Sequence, residues 1–505
     1  MLPRFAAGPV LGLAAAATAL LLLVSTRYGY HRDELYFLEA SRHLAWGYVD
    51  QPPGSVAMAW LSRTLFGGSL PGLRLFPAIA DGVLVALAGL TARELGGRRF
   101  PQTLAALAVA VGPFLAAAHL AGPTVYDILA WAAVSLLVIR ILRTGRERLW
   151  VAVGAICGVA LLNKETILFL LFGLAIGLLT TGRADIVRSR WLWLGIAVAV
   201  AIWLPTLVWQ AIHGWPTVEM SGNLRREHSG LGDTLTFVPL QLLLPGWYVA
   251  PVWLAGLWAL WREERFRAYR AFAVAYGVLF VLIGVLIGDR PYYVLALYVV
   301  LLAAGAIVTE GVVEGTRRFF STRSPGRRLI WRSPRTAIAF VAVFGVLGLP
   351  VSLPVLPASM SGNLQLQTIN YDLGETVGWP ELVSTVARVY RSLPASERSS
   401  AVILTSNYGE AGAIDRYGPA LGLPQAYSGH NTFWWWGPPL PSESTTITVG
   451  FDPSDLAPDL AACTPAARVH NADGMDNDEE GAPVMICRHQ RAPWPAMWPA
   501  FRHYD

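Results

Sequence analysis

The stretch YHRDELYF occupies residues 30–37, directly after the first long apolar run of the chain, and GYVDQPP follows at residues 47–53. The first stretch therefore places an acidic pair, Asp33 and Glu34, where an apolar helix meets water. Folding does not require charge at that position. Ionisable residues at a membrane segment indicate a functional site by default.

Composition sets the class of protein. Of the 505 residues, 54% are hydrophobic and only 14% are charged, whereas soluble domains have about 25% charged residues. This shortage of charge, with repeated long apolar runs, predicts a polytopic α-helical membrane protein. The net charge of +5 is weak evidence for nucleic acid binding, because the arginines form short clusters between apolar runs, as in cytoplasmic loops.

About eleven apolar runs are candidate transmembrane helices. They cover residues 7–26, 77–95, 101–119, 124–142, 149–163, 165–181, 191–211, 238–261, 270–288, 291–309 and 336–356. The arginine clusters all fall on one side of the membrane if the N-terminus is inside, and the positive-inside rule makes that side cytoplasmic. We expect residues 1–356 to form a transmembrane catalytic domain in the plasma (inner) membrane, with the first run retained rather than cleaved.

The opposite side receives the first loop, residues 27–76, in which residues 33–46 and 55–66 are predicted to be interfacial helices. It also receives residues 357–505, which we predict to form a soluble extracytoplasmic α/β domain.

Four segments support that domain and one is predicted to be a solvated loop. Strands are expected at residues 401–405 and 446–450, helices at 410–417 and 455–462, and the acidic loop at 473–480. Cys463 and Cys487 lie in this region, where an extracytoplasmic location permits a disulfide. Their pairing is left open.

Asp33 is the predicted catalytic base. Transfer of a sugar from a lipid phosphate requires a carboxylate to take the acceptor proton and cations to hold the departing phosphate. Adjacent helical residues lie about 100° apart, so Asp33 and Glu34 cannot both face one pocket. Asp33 is nearer the helix N-terminus, which favours its ionised form. Glu34 then caps the helix or pairs with Arg32; alternatively, the whole pair is only a cap.

Lys164 is the only lysine of the chain and stands between two apolar runs on the outer side. A compact ammonium suits a phosphate oxygen, so Lys164 is the predicted phosphate ligand. The alternative is a lysine that pairs with Glu165. Asp127, at the outer start of the fourth run, is a second predicted catalytic acid that orients substrate, or a simple helix N-terminal acid.

Further candidates lie in two outer loops. Arg290 is predicted to complete the phosphate site, and Tyr292 and Tyr293 to bind substrate, although interfacial tyrosines are also common without function. His213 is a weaker candidate for substrate binding. In the C-terminal region, the aromatic stretch at residues 427–436 suits either a carbohydrate-binding face or a packing wedge.

These stretches resemble the GT-C superfamily of membrane glycosyltransferases. The resemblance is to family 39, which includes protein O-mannosyltransferases and, more distantly, the aminoarabinose transferase that modifies lipid A. The resemblance spans about residues 9–310 and is strongest at residues 28–67. The motifs in that stretch are similar to those of a bacterial subgroup of family 39. The resemblance implies a GT-C fold and inverting transfer from a polyprenyl-phosphate sugar on the outer face. By this resemblance Asp33, Asp127 and Lys164 match the family's two acids and its lysine.

The sequence therefore predicts a glycosyltransferase that moves a hexose or pentose from a polyprenyl-phosphate donor to an extracytoplasmic glycan, lipid or protein. Alternatives are a lipid-linked sugar flippase or transporter, and a non-catalytic envelope assembly protein. The residues suggest no cofactor and no metal ligand set, and a divalent cation is left open. No nucleic acid partner is expected.

Overall fold

Apolar helices make up most of the first part of the fold. The computed structural model describes residues 2–227, 231–287, 291–323, 333–440, 445–456 and 458–505. Among these, six helices are long and apolar enough to cross a membrane: Ala7–Val24, Leu70–Glu94, Thr124–Thr144, Arg190–Ile212, Glu264–Gly284 and Pro291–Glu314. The predicted multi-pass membrane architecture is thereby confirmed.

Two further spans are bent, so the count rises to eight if each bent pair crosses once. Arg99–Ala110 and Pro113–His119 meet at 52°, and Thr236–Leu243 and Trp247–Arg262 meet at 78°. Three apolar helices are shorter: Leu149–Leu161, Ile167–Thr180 and Pro334–Leu347. Every one of the predicted runs coincides with one of these helices or pairs, and whether the three shorter helices also cross remains a prediction.

The bend between the helices Arg99–Ala110 and Pro113–His119 lies at Gly112 and Pro113. Gly112 has φ of +108°, a conformation that L side chains rarely adopt. A Cβ there would lie only 2.5 Å from the Tyr248 hydroxyl. Pro113 then begins the next helix, because proline at the first helical position loses no hydrogen bond.

The chain divides into two compact units, each assembled from separate segments. The first comprises Met1–Leu23, Arg74–Ala211 and Arg225–Ser352 and contains most of the apolar helices. The second comprises Val24–Leu73, Ile212–Leu224 and Leu353–Asp505. Most of the first predicted loop thus belongs to the same unit as the C-terminal α/β region.

The second unit contains a mixed five-stranded sheet in the order β2-β1-β3-β5-β4. The strands are β1 (Val402–Thr405), β2 (Ala426–Ser428), β3 (Thr446–Val449), β4 (Leu460–Arg468) and β5 (Pro483–Gln490). β1 runs parallel to β2 and β3, whereas β5 is antiparallel to β3 and β4. Its longer helices are Arg32–Ala40, Gly54–Phe66, Trp379–Ser392 and Tyr408–Tyr417, and most of the helix Pro216–Glu227 also belongs to it.

Cys463 on β4 and Cys487 on β5 form a disulfide. They are directly opposed in the strand register. The core next to this bond contains Val402 and Leu404 from β1 and the buried ring of Trp494. The α/β character expected of the C-terminal region is confirmed.

Two local predictions were wrong, and a third was confirmed only in part. Residues 455–462 were expected to be helical, but the helix Pro453–Leu456 is short and β4 begins at Leu460, because Pro458 cannot continue a helix. The acidic run at 473–480 forms a loop, as predicted, but it is not wholly solvated: Glu479 is 4% exposed and Asp478 binds Arg32. The first interfacial helix ends at Ala40 rather than 46, where the Ser41 hydroxyl bonds the Leu38 carbonyl.

Asp415 offers a test of this unit's stability. It is 8% exposed; its Oδ1 accepts the Ala426 N–H at 2.8 Å, and its Oδ2 has no hydrogen-bond partner. Burial raises the pKa of Asp415 from 3.8 to about 8. The protonated form therefore stabilises the fold, and this contribution is full below pH 3.8 and lost as the pH rises through about 8.

We expect the variant Asp415→Asn, which cannot ionise, to unfold at a higher temperature than the wild type at pH 8 to 9. The free-energy difference should reach several kcal/mol, since each pKa unit corresponds to about 1.4 kcal/mol. Tryptophan fluorescence of the detergent-solubilised protein measures the unfolding temperature against pH. The control is Asp476→Asn, at an exposed aspartate. An unchanged pH-dependent decline in Asp415→Asn would contradict the assignment.

Candidate active site

Asp33 lies in the first turn of the helix Arg32–Ala40 in the second unit. Its backbone N–H donates to Nδ1 of the N-cap residue His31 at 3.2 Å. Its side chain remains 41% exposed, and Oδ1 accepts a hydrogen bond from the Tyr408 hydroxyl at 2.8 Å. The Asp33 carboxylate is therefore held by a hydrogen bond at one oxygen and can still be reached from solvent.

Glu34 has a different environment. The residue is 1% exposed, and its Oε2 accepts the His31 N–H at 2.8 Å. This bond completes a capping box with His31 at the start of the helix. The two neighbouring acids thus differ in burial and in contacts, as their angular separation on a helix requires.

Substitution of Glu34 separates a capping role from a catalytic one. We expect Glu34→Ala to lower the free energy of unfolding by about 1 kcal/mol, the usual effect of losing a cap. Glu34→Gln retains a carbonyl acceptor at the same position, so it should keep both stability and turnover. Thermal unfolding and transfer assays on both variants measure this. A large loss of turnover in a stable Glu34→Gln protein would instead assign Glu34 to the chemistry.

Arg32 anchors the same helix to the C-terminal region. Its Nη1 lies 2.7 Å from Asp478 Oδ2 and 3.6 Å from Glu375 Oε2. Burial raises the pKa of Glu375, against the opposing effect of Arg32. The guanidinium also lies 5.0 Å from the centroid of the Tyr408 ring, within cation–π range.

Asp50, from the GYVDQPP stretch, was given no role in the sequence analysis although it belongs to this neighbourhood. Its Oδ1 accepts hydrogen bonds from the Tyr36 hydroxyl at 2.7 Å and the Thr432 hydroxyl at 3.5 Å. Burial raises the pKa of Asp50 to about 6; the Tyr36 hydrogen bond opposes this shift and the negative charge of Asp33 adds to it. The sequence did contain a signal for Asp50, because it is an acid within residues 28–67, where the family resemblance is strongest.

The first unit brings together four other predicted residues. Lys164 Nζ lies 5.2 Å from the ring centroid of Tyr292 and 5.1 Å from that of Tyr293. Asp127 is 7% exposed, and its Oδ1 accepts the Trp131 indole N–H at 3.1 Å. Lys164 is close enough to interact electrostatically with Asp127.

The turn that carries Lys164 is tied to the start of the helix that carries Asp127. The neighbouring Asn163 donates from Nδ2 to the Pro123 carbonyl at 2.9 Å, directly before the helix Thr124–Thr144. This bond helps to fix the ammonium beside the carboxylate. Glu165, the chain neighbour of Lys164, also interacts with it electrostatically, so the ammonium lies near two acids and two aromatic rings. Whether Lys164 binds a phosphate or only pairs with Glu165 stays a prediction.

The remaining candidates lie elsewhere. Arg290 is outside the described residues. His213 belongs to the second unit, where its ring meets Trp435 edge-on at 5.2 Å. In the aromatic stretch, Trp436 stacks on His43 at 4.5 Å and Phe433 on Tyr36 at 6.0 Å. These contacts agree with the packing alternative for that stretch.

One group of described residues has metal-ligand composition. Atoms of His430, His503 and Asp505 lie within 4.8 Å of one another. However, His430 Nδ1 accepts the Tyr408 N–H at 3.4 Å and its Nε2 lies 2.7 Å from Asp505 Oδ1. With Nδ1 as the acceptor, Nε2 carries the proton and donates it to Asp505. That proton occupies the position where a metal would need a lone pair.

Comparison with known proteins gives matches in sequence. Residues 50–209 match the dolichyl-phosphate-mannose-protein mannosyltransferase family (PMT_2). The chain is 25% identical over 399 residues to undecaprenyl phosphate-α-4-amino-4-deoxy-L-arabinose arabinosyl transferase 1 of Pseudomonas fluorescens Pf0-1, covering 73% of this chain and 65% of that protein. It is 29% identical over 267 residues to the protein of the same name from Pseudomonas fluorescens Pf-5, covering 48% of this chain and 46% of that protein. The chain thus spans less than two thirds of the length of either relative.

Solved structures match nearly the whole chain. ArnT from Cupriavidus metallidurans bound to undecaprenyl phosphate aligns with a TM-score of 0.60 at 17% identity, covering 95% of this chain and 98% of that one. The apo structure of the same ArnT aligns with a TM-score of 0.58 at 16% identity, covering 94% of this chain and 97% of that one.

The fold is therefore that of an ArnT-like GT-C membrane protein with a small C-terminal sheet, as predicted. The predicted resemblance to GT-C glycosyltransferases of bacterial type is also confirmed. The sequence relatives are transferases named for a lipid-linked sugar, so the comparisons favour the transferase prediction over the transporter and assembly-protein alternatives.

Proposed function

We propose that this chain is a membrane glycosyltransferase that moves a sugar from a polyprenyl-phosphate donor to an extracytoplasmic acceptor. The observation that carries the proposal is the partly exposed Asp33 carboxylate, 41% accessible, in a chain whose fold matches a solved relative over 95% of its length. A carboxylate held at a helix N-terminus but open to solvent is suited to general base catalysis.

The proposed reaction is a single displacement. Asp33 takes the proton from the acceptor hydroxyl, and the acceptor oxygen forms a bond to the anomeric carbon of the donor. The bond from that carbon to the phosphate oxygen breaks, and the polyprenyl phosphate leaves with the bonding electron pair. Because the nucleophile attacks opposite the leaving group, the anomeric configuration inverts.

Lys164 stabilises the charge that develops on the departing phosphate. Its position beside Tyr292 and Tyr293 supports this role, and the two tyrosines line the donor site. Asp127, next to Lys164, orients the ammonium and the substrate. Arg290 is a second phosphate ligand in this proposal. Glu34 caps the helix that presents Asp33, and His213 contributes to substrate binding.

The arginine distribution and the disulfide support an extracytoplasmic location for the reaction. The N-terminus is cytoplasmic by the positive-inside rule, and the C-terminal region lies outside the cytoplasm. The disulfide between Cys463 and Cys487 supports this orientation, since disulfides persist in oxidising compartments. The acceptor is accordingly a cell-envelope glycan, lipid or protein.

Transfer can be distinguished from transport in one assay. The purified protein is reconstituted into liposomes with a polyprenyl-phosphate radiolabelled sugar and an extract of envelope glycans and lipids. We expect a new labelled product and an equal amount of free polyprenyl phosphate. Movement of label across the bilayer with its lipid linkage intact would establish a flippase and overturn the proposal.

A further inference from the structure

Tyr408 and Asp33 are separated by 375 positions in the chain, yet the Tyr408 hydroxyl donates to Asp33 Oδ1 at 2.8 Å. Both residues belong to the second unit. We propose that Tyr408 is a positioning residue for the Asp33 carboxylate, and that the C-terminal α/β region is thereby part of the catalytic apparatus. The inference rests on the proposed role of Asp33 as the base.

The backbone of Tyr408 is fixed by its place in the fold. Tyr408 is the first residue of the helix Tyr408–Tyr417, and Asn407 is its N-cap. The Asn407 side chain accepts the Glu410 N–H at 2.9 Å, and Glu410 Oε2 accepts the Asn407 N–H at 3.2 Å. This reciprocal capping box holds the first turn, and therefore the start of the Tyr408 side chain, in one conformation.

Two glycines allow this helix to approach the helix of Asp33 closely. A Cβ on Gly409 would lie 3.0 Å from the Arg32 Cβ, and one on Gly412 would lie 3.0 Å from the Leu35 backbone. Those separations are tighter than ordinary van der Waals contact. Larger residues would push the helices apart and remove the Tyr408 hydroxyl from reach of Asp33.

The ring of Tyr408 is held on several sides. Its centroid lies 4.8 Å from that of Tyr36 and 4.7 Å from that of His430. The Arg32 guanidinium lies 5.0 Å from the same centroid. These neighbours restrict rotation of the ring, so the hydroxyl presents a nearly fixed donor to Asp33 Oδ1.

The hydroxyl remains a donor at physiological pH. Burial raises the pKa of Tyr408 well above its usual range, and the negative charge of Asp33 raises it further. A donated hydrogen bond favours an ionised carboxylate and so weakens it as a base. The benefit of the contact is therefore orientation, which can change rates by large factors when reacting atoms must align.

The test compares Tyr408→Phe with the wild type in the transfer assay. We expect kcat to fall about tenfold from lost alignment, while the KM for the polyprenyl-phosphate sugar stays the same. A loss confined to kcat reports on the alignment of Asp33, because a general loss of structure would also change the KM for the donor.

Tyr390→Phe is the matched control, because that tyrosine also makes one hydroxyl bond, to the Arg398 carbonyl at 3.0 Å. A wild-type kcat in Tyr408→Phe would overturn the inference while the transferase function stands. Equal losses of kcat in Tyr408→Phe and Tyr390→Phe would assign the effect to general stability, and this result would also overturn the inference. A wild-type protein without transfer activity would refute the proposed function itself.

Discussion

The variant Asp33→Asn is expected to lose nearly all transfer while remaining folded and membrane-inserted. Removing a general base reduces turnover by about 10² to 10⁴. The asparagine carbonyl still accepts the Tyr408 hydroxyl bond that Asp33 Oδ1 accepts in the wild type, so the local structure should persist. Turnover of a polyprenyl-phosphate radiolabelled sugar by the purified variant measures the effect.

Asp476→Asn provides the matched control for Asp33→Asn. Asp476 is an exposed aspartate of the same unit, and its substitution makes the same chemical change away from Asp33. We expect wild-type turnover from this control. If Asp33→Asn also turned over within about threefold of the wild type, far less than the loss of a base predicts, Asp33 would not be the base.

Lys164→Met is expected to weaken binding of the donor rather than the chemical step alone. A hydrogen bond to a charged group contributes about 1.5–3 kcal/mol, which corresponds to a rise of about 10- to 100-fold in the donor KM. Methionine can fill the space beside Tyr292 and Tyr293 that Lys164 occupies, because thioethers pack well on aromatic rings. The fold should therefore be preserved, and steady-state kinetics against donor concentration gives the result.

Two companion variants sharpen this test. Lys164→Arg keeps the positive charge and should restore part of the donor affinity, although the guanidinium has a different shape. Arg146→Met removes an exposed cation from the predicted cytoplasmic loop and should leave the donor KM unchanged. An unchanged donor KM in Lys164→Met would remove Lys164 from the phosphate site.

The membrane helices were predictable because their signal is local. The run at residues 7–26 became the helix Ala7–Val24, and the run at 124–142 became Thr124–Thr144. An apolar segment of that length needs no distant partner to be recognised. The 52° break near Gly112 was not predicted, since the contact of Gly112 with Tyr248 depends on packing between distant segments.

The candidate site was predictable only in part, because some of its contacts join residues that are far apart in the chain. The position of the Asp33-Glu34 pair predicts a site, and helix geometry alone predicts that the two carboxylates face different surroundings. Tyr408 could not be assigned, because a hydrogen bond between residues 375 positions apart leaves no local pattern. The capping sequence from Asn407 to Glu410 did mark a helix start, two residues before the one that we predicted.

The most direct test of the account measures donor affinity and turnover together for Asp33→Asn and Lys164→Met. Binding of a fluorescent polyprenyl phosphate gives Kd for each purified variant, and single-turnover transfer gives the rate. We predict that Asp33→Asn binds the lipid with wild-type Kd but does not transfer, whereas Lys164→Met binds it at least tenfold more weakly, as loss of about 1.4 kcal/mol implies. Wild-type Kd in Lys164→Met together with rapid transfer by Asp33→Asn would contradict the division of roles on which the account depends.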